Sequence, residues 1–238
     1  MKKLVFDNYE DMSRGAADIY VEQLAKKPNS VLGLATGSTP IGLYNELVKR
    51  YNEKKIDFSK AISFNLDEYY PIKNDHPQSY KVFMYEHLFS KVNFATINLL
   101  NGEALDPDAE CKRYDAAIDA AGGIDLQLLG IGLNGHIAFI EPSDAYHMNT
   151  HIEQLSQVTL DANQRFFNEG EIQPPTALSV GLDKIFKAKK IIQLISGAAK
   201  AEIVRKLFDD KLYTDIPACL LKLHPDVTIL LDKAAAGE

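Results

Sequence analysis

The sequence is poor in cysteine and contains no long apolar run. Only Cys111 and Cys219 occur in 238 residues, far apart and without a second Cys or a nearby His to complete a metal-ligand spacing. A disulfide framework and a structural zinc site are thereby excluded, and both thiols read as buried. No stretch approaches the roughly 18 consecutive apolar residues of a membrane-spanning helix. The opening segment MKKLVFDNYEDM carries Lys2 and Lys3, but Asp7 interrupts its apolar run, so it does not read as a secretory signal. These absences point to a reducing, cytoplasmic compartment. Positive charge is also in deficit: Lys and Arg number 26 against 33 Asp and Glu, a formal charge of −7. Such a surface repels phosphate backbones and anionic lipid, so neither nucleic acid nor a membrane is an expected partner. Any small phosphorylated ligand then needs a locally positive pocket, built from a helix start and a few Lys or Arg.

What is present is globular. Hydrophobic residues make up 46% and charged residues 25%, with no linker, repeat or low-complexity stretch to divide the chain, so one domain over residues 1–238 is expected. Short apolar runs at 31–34, 61–66, 124–130, 191–195 and 227–231 read as buried strands. Between them lie segments of helical spacing, such as Ile41, Tyr44, Leu47, Val48 and Tyr51, or 198–208 with Ile203, Val204 and Leu207. Strands that are apolar throughout and alternate with helices predict a three-layer α/β fold, a largely parallel sheet with helices on both faces. Ligands of such sheets bind beyond the carboxyl ends of the strands, so functional residues are expected just after these runs.

Three stretches carry chemistry at those places. In Leu32-Gly-Leu-Ala-Thr-Gly-Ser-Thr-Pro40 a strand runs into small residues and a helix, with Thr39 suited to the N-cap and Pro40 to the first helical position. Free N–H groups around Gly37, Ser38 and Thr39, with the hydroxyls of Thr36, Ser38 and Thr39, would cradle an anion. An ordinary tight connection uses the same residues. The stretch matches neither a Walker loop nor a dinucleotide fingerprint, so a phosphomonoester fits better than a nucleotide. In Phe64-Asn-Leu-Asp-Glu-Tyr-Tyr70, Asp67 and Glu68 end an apolar strand; neighbours on an extended chain diverge, so one of them reaches a ligand as a general base. Both acids would equally suit a solvated loop. In Leu129-Gly-Ile-Gly-Leu-Asn-Gly-His-Ile-Ala-Phe-Ile-Glu-Pro142, three glycines surround His136, and Glu141 follows as an acid able to fix an imidazole tautomer. Arg165 and Lys200, taken alone, read as solvated cations, although Lys200 follows a strand at a helix start.

Taken together these stretches resemble the glucosamine-6-phosphate deaminase (isomerase) family over nearly the whole chain. The shared motifs run in order: Leu-Gly-Leu-Ala-Thr-Gly-Ser-Thr-Pro, Asn-Leu-Asp-Glu-Tyr, His76-Pro-Gln-Ser-Tyr80, Gly-Ile-Gly-Leu-Asn-Gly-His-Ile-Ala-Phe and Asp-Ala-Asn-Gln-Arg-Phe-Phe. The resemblance implies a Rossmann-like sandwich that converts glucosamine 6-phosphate and water to fructose 6-phosphate and ammonia, an amino sugar phosphate being its partner, without metal or organic cofactor. It implies that Asp67 moves a proton between C2 and C1 and that His136 opens the sugar ring. Asn134 and Glu141 would support His136, and Gly37, Ser38, Thr39, Arg165 and Lys200 would hold the phosphate. Asn134 stands where some relatives carry Asp, and Ile140 replaces an Asn of the usual Ala-Phe-Asn-Glu-Pro, which puts the local geometry of Glu141 in question.

Three alternatives stay open. Galactosamine 6-phosphate differs from the glucosamine compound only at C4. A 6-phosphogluconolactonase has similar glycine-rich turns but resembles Ser-Leu-Phe-Pro where Ala138-Phe-Ile-Glu-Pro142 keeps an acid. A sugar-phosphate sensor would need a basic DNA-binding helix that a chain of pI 5.4 does not offer. Members of the family occur as monomers and as hexamers. At the positions where hexameric relatives bind the phosphate of an activating N-acetylglucosamine 6-phosphate through basic residues, this chain has His151 and Glu153, and it stops at Glu238 without their C-terminal extension. No response to that activator is expected.

Overall fold

A computed structural model describes residues 1–168 and 170–238. Its strands are β1 (Lys2–Phe6), β2 (Val31–Leu34), β3 (Ile62–Asn65), β4 (Asp67–Tyr70), β5 (Thr96–Asn98), β6 (Leu126–Leu129), β7 (His151–Gln154), β8 (Thr176–Ser179), β9 (Ile191–Ile195) and β10 (Val227–Asp232). The α-helices are α1 (Tyr9–Lys26), α2 (Ile41–Asn52), α3 (Tyr80–Met84), α4 (Pro107–Ala120), α5 (Gln157–Gln164), α6 (Leu182–Phe186), α7 (Ala201–Leu207) and α8 (Lys233–Ala236).

Seven strands form a parallel sheet in the order β1-β10-β9-β6-β2-β3-β5, with helices on both sides, as the alternation of apolar runs and helical spacing predicts. Every residue of the inner strands β2, β6, β9 and β10 is buried. Their predominance of Val, Ile and Leu is the consequence of burial on two faces. The predicted runs locate these strands and β3, with ends that differ by one or two residues: β3 is shorter than 61–66, β6 shorter than 124–130, and β10 extends to Asp232. The edge strands β1 and β5 carry no such run. β1 opens with exposed Lys2 and Lys3, and charge on a free edge discourages pairing with a second chain. Polar Gln127 fits the inner sheet because its neighbour on β2 is Gly33: a Cβ there would lie 2.0 Å from the Gln127 side-chain oxygen. Both cysteines are buried and free.

A second sheet, antiparallel in the order β4-β8-β7, stands beside the first. Leu66 joins the two: its N–H donates to the Leu34 carbonyl at 3.1 Å, and its own carbonyl accepts Val180 N–H at 2.8 Å. Asp67 therefore leaves the end of a parallel strand and at once enters an antiparallel one. Neither acid of the pair sits in a solvated loop; Asp67 and Glu68 are both buried. Tyr69, Ile72, Phe139, Leu155, Phe167 and Ala177 form a separate apolar cluster under this sheet. Among the described residues no helix is long and apolar enough to cross a membrane.

Candidate active site

The phosphate-binding candidates come from three loops. After β2 the chain turns through Gly37 at φ +100°, a left-handed value that glycine adopts without strain. The expected capping arrangement is not formed: α2 starts at Ile41 with Pro40 in the cap position, and no side chain accepts from its first turn. Tertiary contacts hold the turn instead. The Tyr9 hydroxyl lies 3.2 Å and 2.9 Å from the Ser38 and Thr39 carbonyls and accepts from Gly42 N–H at 2.7 Å. The Tyr44 hydroxyl donates to the Ala35 carbonyl. Both the Thr39 hydroxyl and the N–H groups of Gly37, Ser38 and Thr39 are thus left without a protein acceptor among the described residues. Lys200 follows β9 and occupies the cap position of α7, its Nζ donating to the Ile131 carbonyl at 2.8 Å. Burial, and then the neighbouring Arg165 guanidinium, bring its pKa down to about 8. Arg165 ends α5 with its guanidinium carbon 4.7 Å over the Phe166 ring. Among the described residues neither cation is paired with a carboxylate.

The acid/base candidates face them. Asp67 is 7% exposed and accepts no hydrogen bond from the described residues. Burial, reinforced by the Glu68 charge, raises its pKa to about 8. Glu68 points the other way, as alternation along a strand requires. Its carboxylate accepts the N–H groups of Tyr69, Tyr80 and Lys81 at 3.0, 2.8 and 2.9 Å and so anchors the start of α3. Burial still lifts it to about 7 against those three donors.

His136 sits on the glycine-rich loop after β6. Its backbone carbonyl accepts Gly132 N–H at 2.9 Å, and a Cβ on Gly132 would lie 2.2 Å from the imidazole, so the loop closes this tightly only on glycine. Behind the ring, Asn134 Nδ2 donates to Glu141 Oε2 at 2.6 Å, and Ser156 Oγ donates to the same oxygen at 3.1 Å. Burial alone would raise the Glu141 carboxyl, but His136, Thr159 and Asn134 outweigh it and bring it to about 2. His136 Nδ1 lies 3.7 Å from Glu141 Oε2, an ion-pair distance beyond hydrogen-bond reach. The replacement at Ile140 does not disturb this arrangement, because its side chain is buried in the core and leaves Glu141 to Asn134 and Ser156.

Gly37, Ser38, Thr39, Asp67, His136, Arg165 and Lys200 all line one cleft of about 600 Å³, with Asn134 and Glu141 standing behind His136. Tyr80, also in its wall, is in a motif that assigned it no role; Thr159 and Ser156 carried no signal beyond a Ser-x-x-Thr helix start. A more open cavity of about 790 Å³ lies beside α4 and β7. Several of its charged groups are already engaged, Asp115 accepting from Thr150, Lys184 pairing with Asp119 and His151 with Glu153, while Asp108 and Lys112 are exposed to solvent. The smaller cleft, where Asp67 is buried and unpaired among the described residues and Lys200 is half-buried, is the one equipped for chemistry.

The chain is similar to known proteins over its whole length. The family described as glucosamine-6-phosphate isomerases/6-phosphogluconolactonase matches residues 8–230. A glucosamine-6-phosphate deaminase of Thermoanaerobacter pseudethanolicus is 49% identical, covering 100% of this chain and 94% of that protein. Another, of Clostridium botulinum, is 49% identical, covering 100% of this chain and 98% of that one. A solved structure of a monomeric glucosamine-6-phosphate deaminase superposes with a TM-score of 0.94 at 40% identity, covering 100% of this chain and 99% of the other. The 6-phosphogluconolactonase of Trypanosoma brucei shares the fold, with a TM-score of 0.80 over 99% of this chain and 97% of its own, at only 20% identity. Matched by that family over residues 8–230 and end to end by deaminases at 49% identity, and with a carboxylate, an imidazole and two cations gathered in one cleft, the chain belongs to the glucosamine-6-phosphate deaminase (isomerase) family.

Proposed function

We propose that this cleft converts glucosamine 6-phosphate and water to fructose 6-phosphate and ammonia. The observation that carries the reading is a juxtaposition: a buried carboxylate without a partner among the described residues shares the cleft with an imidazole and with two cations that have no counter-ion among them. A phosphate dianion on Gly37–Thr39, Arg165 and Lys200 satisfies both cations and the free N–H groups. It also anchors the sugar with its other end toward Asp67 and His136.

Ring opening needs a group that carries a proton both ways. His136 takes the proton of the C1 hydroxyl and returns it to the ring oxygen as the C1–O5 bond breaks and the C1 carbonyl forms. Glu141, ionised and desolvated behind the ring, stabilises the imidazolium in between; Asn134 is an amide, so Glu141 is the carboxylate for this task. Asp67 then takes the C2 proton while the C1 oxygen takes one from the C2 ammonium, giving an enolamine, and Asp67 delivers its proton to C1. The resulting C2 iminium adds water and expels ammonia, leaving the C2 carbonyl. A carboxyl with a pKa near the working pH suits such two-way transfer, and the ammonium of the substrate favours its ionised form.

All of these residues come from one chain, so the reading requires no second copy, in keeping with the relative described as monomeric. A cytoplasmic site of action follows the same reading. The deciding assay compares ammonia and ketose release from glucosamine 6-phosphate and galactosamine 6-phosphate at matched concentrations, in deuterium oxide. Release from the glucosamine compound with deuterium at C1 of the product is expected. Preference for the galactosamine compound would reassign the substrate, and no ammonia from either would end the proposal.

A further inference from the structure

His136 is separated from Glu141 by a distance no hydrogen bond spans, yet its Nδ1 is not without a partner. Thr159 Oγ1, on α5, lies 3.3 Å from it. The same hydroxyl lies 3.2 Å from Ser156 Oγ, and Thr159 is 2% exposed, so water does not compete for it. Counting protons settles what each hydroxyl can do. Ser156 Oγ gives its one proton to Glu141 Oε2 at 3.1 Å and accepts from Asn134 Nδ2 and Thr159 N–H, each at 3.3 Å. Its oxygen is filled and its proton is spent. The Thr159 hydroxyl remains free to turn either way.

We infer that Thr159 is a positioning residue for ring opening, its hydroxyl setting which nitrogen of His136 carries the proton. When Thr159 donates to Nδ1, the ring proton is on Nε2 and His136 faces the cleft as an acid. When Nδ1–H donates to Thr159 Oγ1, the Thr159 proton swings toward the Glu141 carboxylate, which Thr159 helps to keep ionised, and Nε2 faces the cleft as a base. A hydroxyl serves both arrangements because it donates and accepts; a carboxylate in direct contact would serve only the second. The helix that brings Thr159 here also ends in Arg165, so one element couples the imidazole to the phosphate site. Arg165 and Lys200 face the same cleft, with Asp67 and Tyr80 in its walls, and Glu141 is the acid behind the ring.

The inference rests on His136 acting on the ring, and the test separates the two claims. Thr159→Val keeps the shape and removes the hydroxyl; Thr159→Ser keeps the hydroxyl. In the full-length protein, Thr159→Val is expected to lower kcat on glucosamine 6-phosphate on the order of 10- to 100-fold with KM little changed, and Thr159→Ser to stay within about threefold of native. In ¹⁵N-histidine spectra of the free protein, the His136 Nδ1 and Nε2 shifts should change tautomer balance in Thr159→Val and return in Thr159→Ser. Equal loss in both variants, or His136 shifts identical in native and Thr159→Val protein, would overturn the role of Thr159. Native turnover by His136→Gln would instead remove the ring-opening reading, while the ¹⁵N shifts would still decide whether Thr159 sets the tautomer.

Discussion

Replacing Asp67 by Asn should stabilise the protein while it stops the reaction. In the unfolded chain this carboxyl ionises near 3.8, and in the fold burial and the Glu68 charge hold it to about 8. A raised carboxyl works against the fold: between those two values the unfolded state releases a proton that the native state retains, so stability present at low pH is lost as pH rises through the window. At about 1.4 kcal/mol per unit, the contribution lost is about 2 kcal/mol at pH 5 and about 4 kcal/mol at pH 7, levelling above pH 8. Asn cannot ionise in either state and removes the whole dependence. Urea unfolding of native and Asp67→Asn protein at pH 5, 6, 7 and 8 reads the difference directly. The variant should be more stable by an amount that grows with pH up to the folded pKa. A constant difference, or a variant less stable at pH 7, would refute the assignment of a buried, unpaired acid. The same variant should bind the sugar phosphate through its phosphate and yet lose turnover, because an amide cannot accept the C2 proton; retention of more than about a tenth of native kcat would sink the role of Asp67 as base.

Other consequences are as direct. Arg165→Ala and Lys200→Ala should each lower kcat/KM on glucosamine 6-phosphate about 10- to 100-fold, the worth of a charge-assisted contact, and unphosphorylated glucosamine should be a poor substrate of the native protein. Efficient turnover of the bare sugar would show that the Gly37–Thr39 turn is not an anion cradle. Gly132→Ala places a methyl 2.2 Å from the His136 ring, so kcat should fall on the order of 10- to 100-fold while the thermal midpoint moves little; unchanged kcat would mean that the imidazole position is unimportant. N-acetylglucosamine 6-phosphate should leave a hyperbolic saturation curve unchanged, since Glu153 presents a carboxylate beside His151 at 2.8 Å where a phosphate would have to sit. A sigmoidal curve that the acetylated sugar straightens would count against this.

By itself the sequence determined the class of fold and the loops that line the cleft. Strands buried on both faces are mostly apolar, so β2, β6, β9 and β10 were visible, and glycines clustered after such strands mark where backbone turns sharply near a ligand. Asp67 and His136 were legible for that reason. Short amphipathic strands leave no comparable trace: β1 and β5 have exposed or half-exposed residues, and β4, β7 and β8 pair with partners remote in sequence. Only the tertiary structure decided that Asp67 enters a second sheet and is buried without a partner among the described residues, since burial depends on what packs over a residue and not on its neighbours in the chain. The same holds for Arg165 and Lys200, which look like surface cations until α5 and the start of α7 bring them together, and for Thr159, whose hydroxyl matters only because the His136 loop folds against its helix. Local propensity sets where a strand ends or a turn begins, whereas the proton affinity of a carboxyl and the partner of an imidazole are set by groups that folding alone makes neighbours.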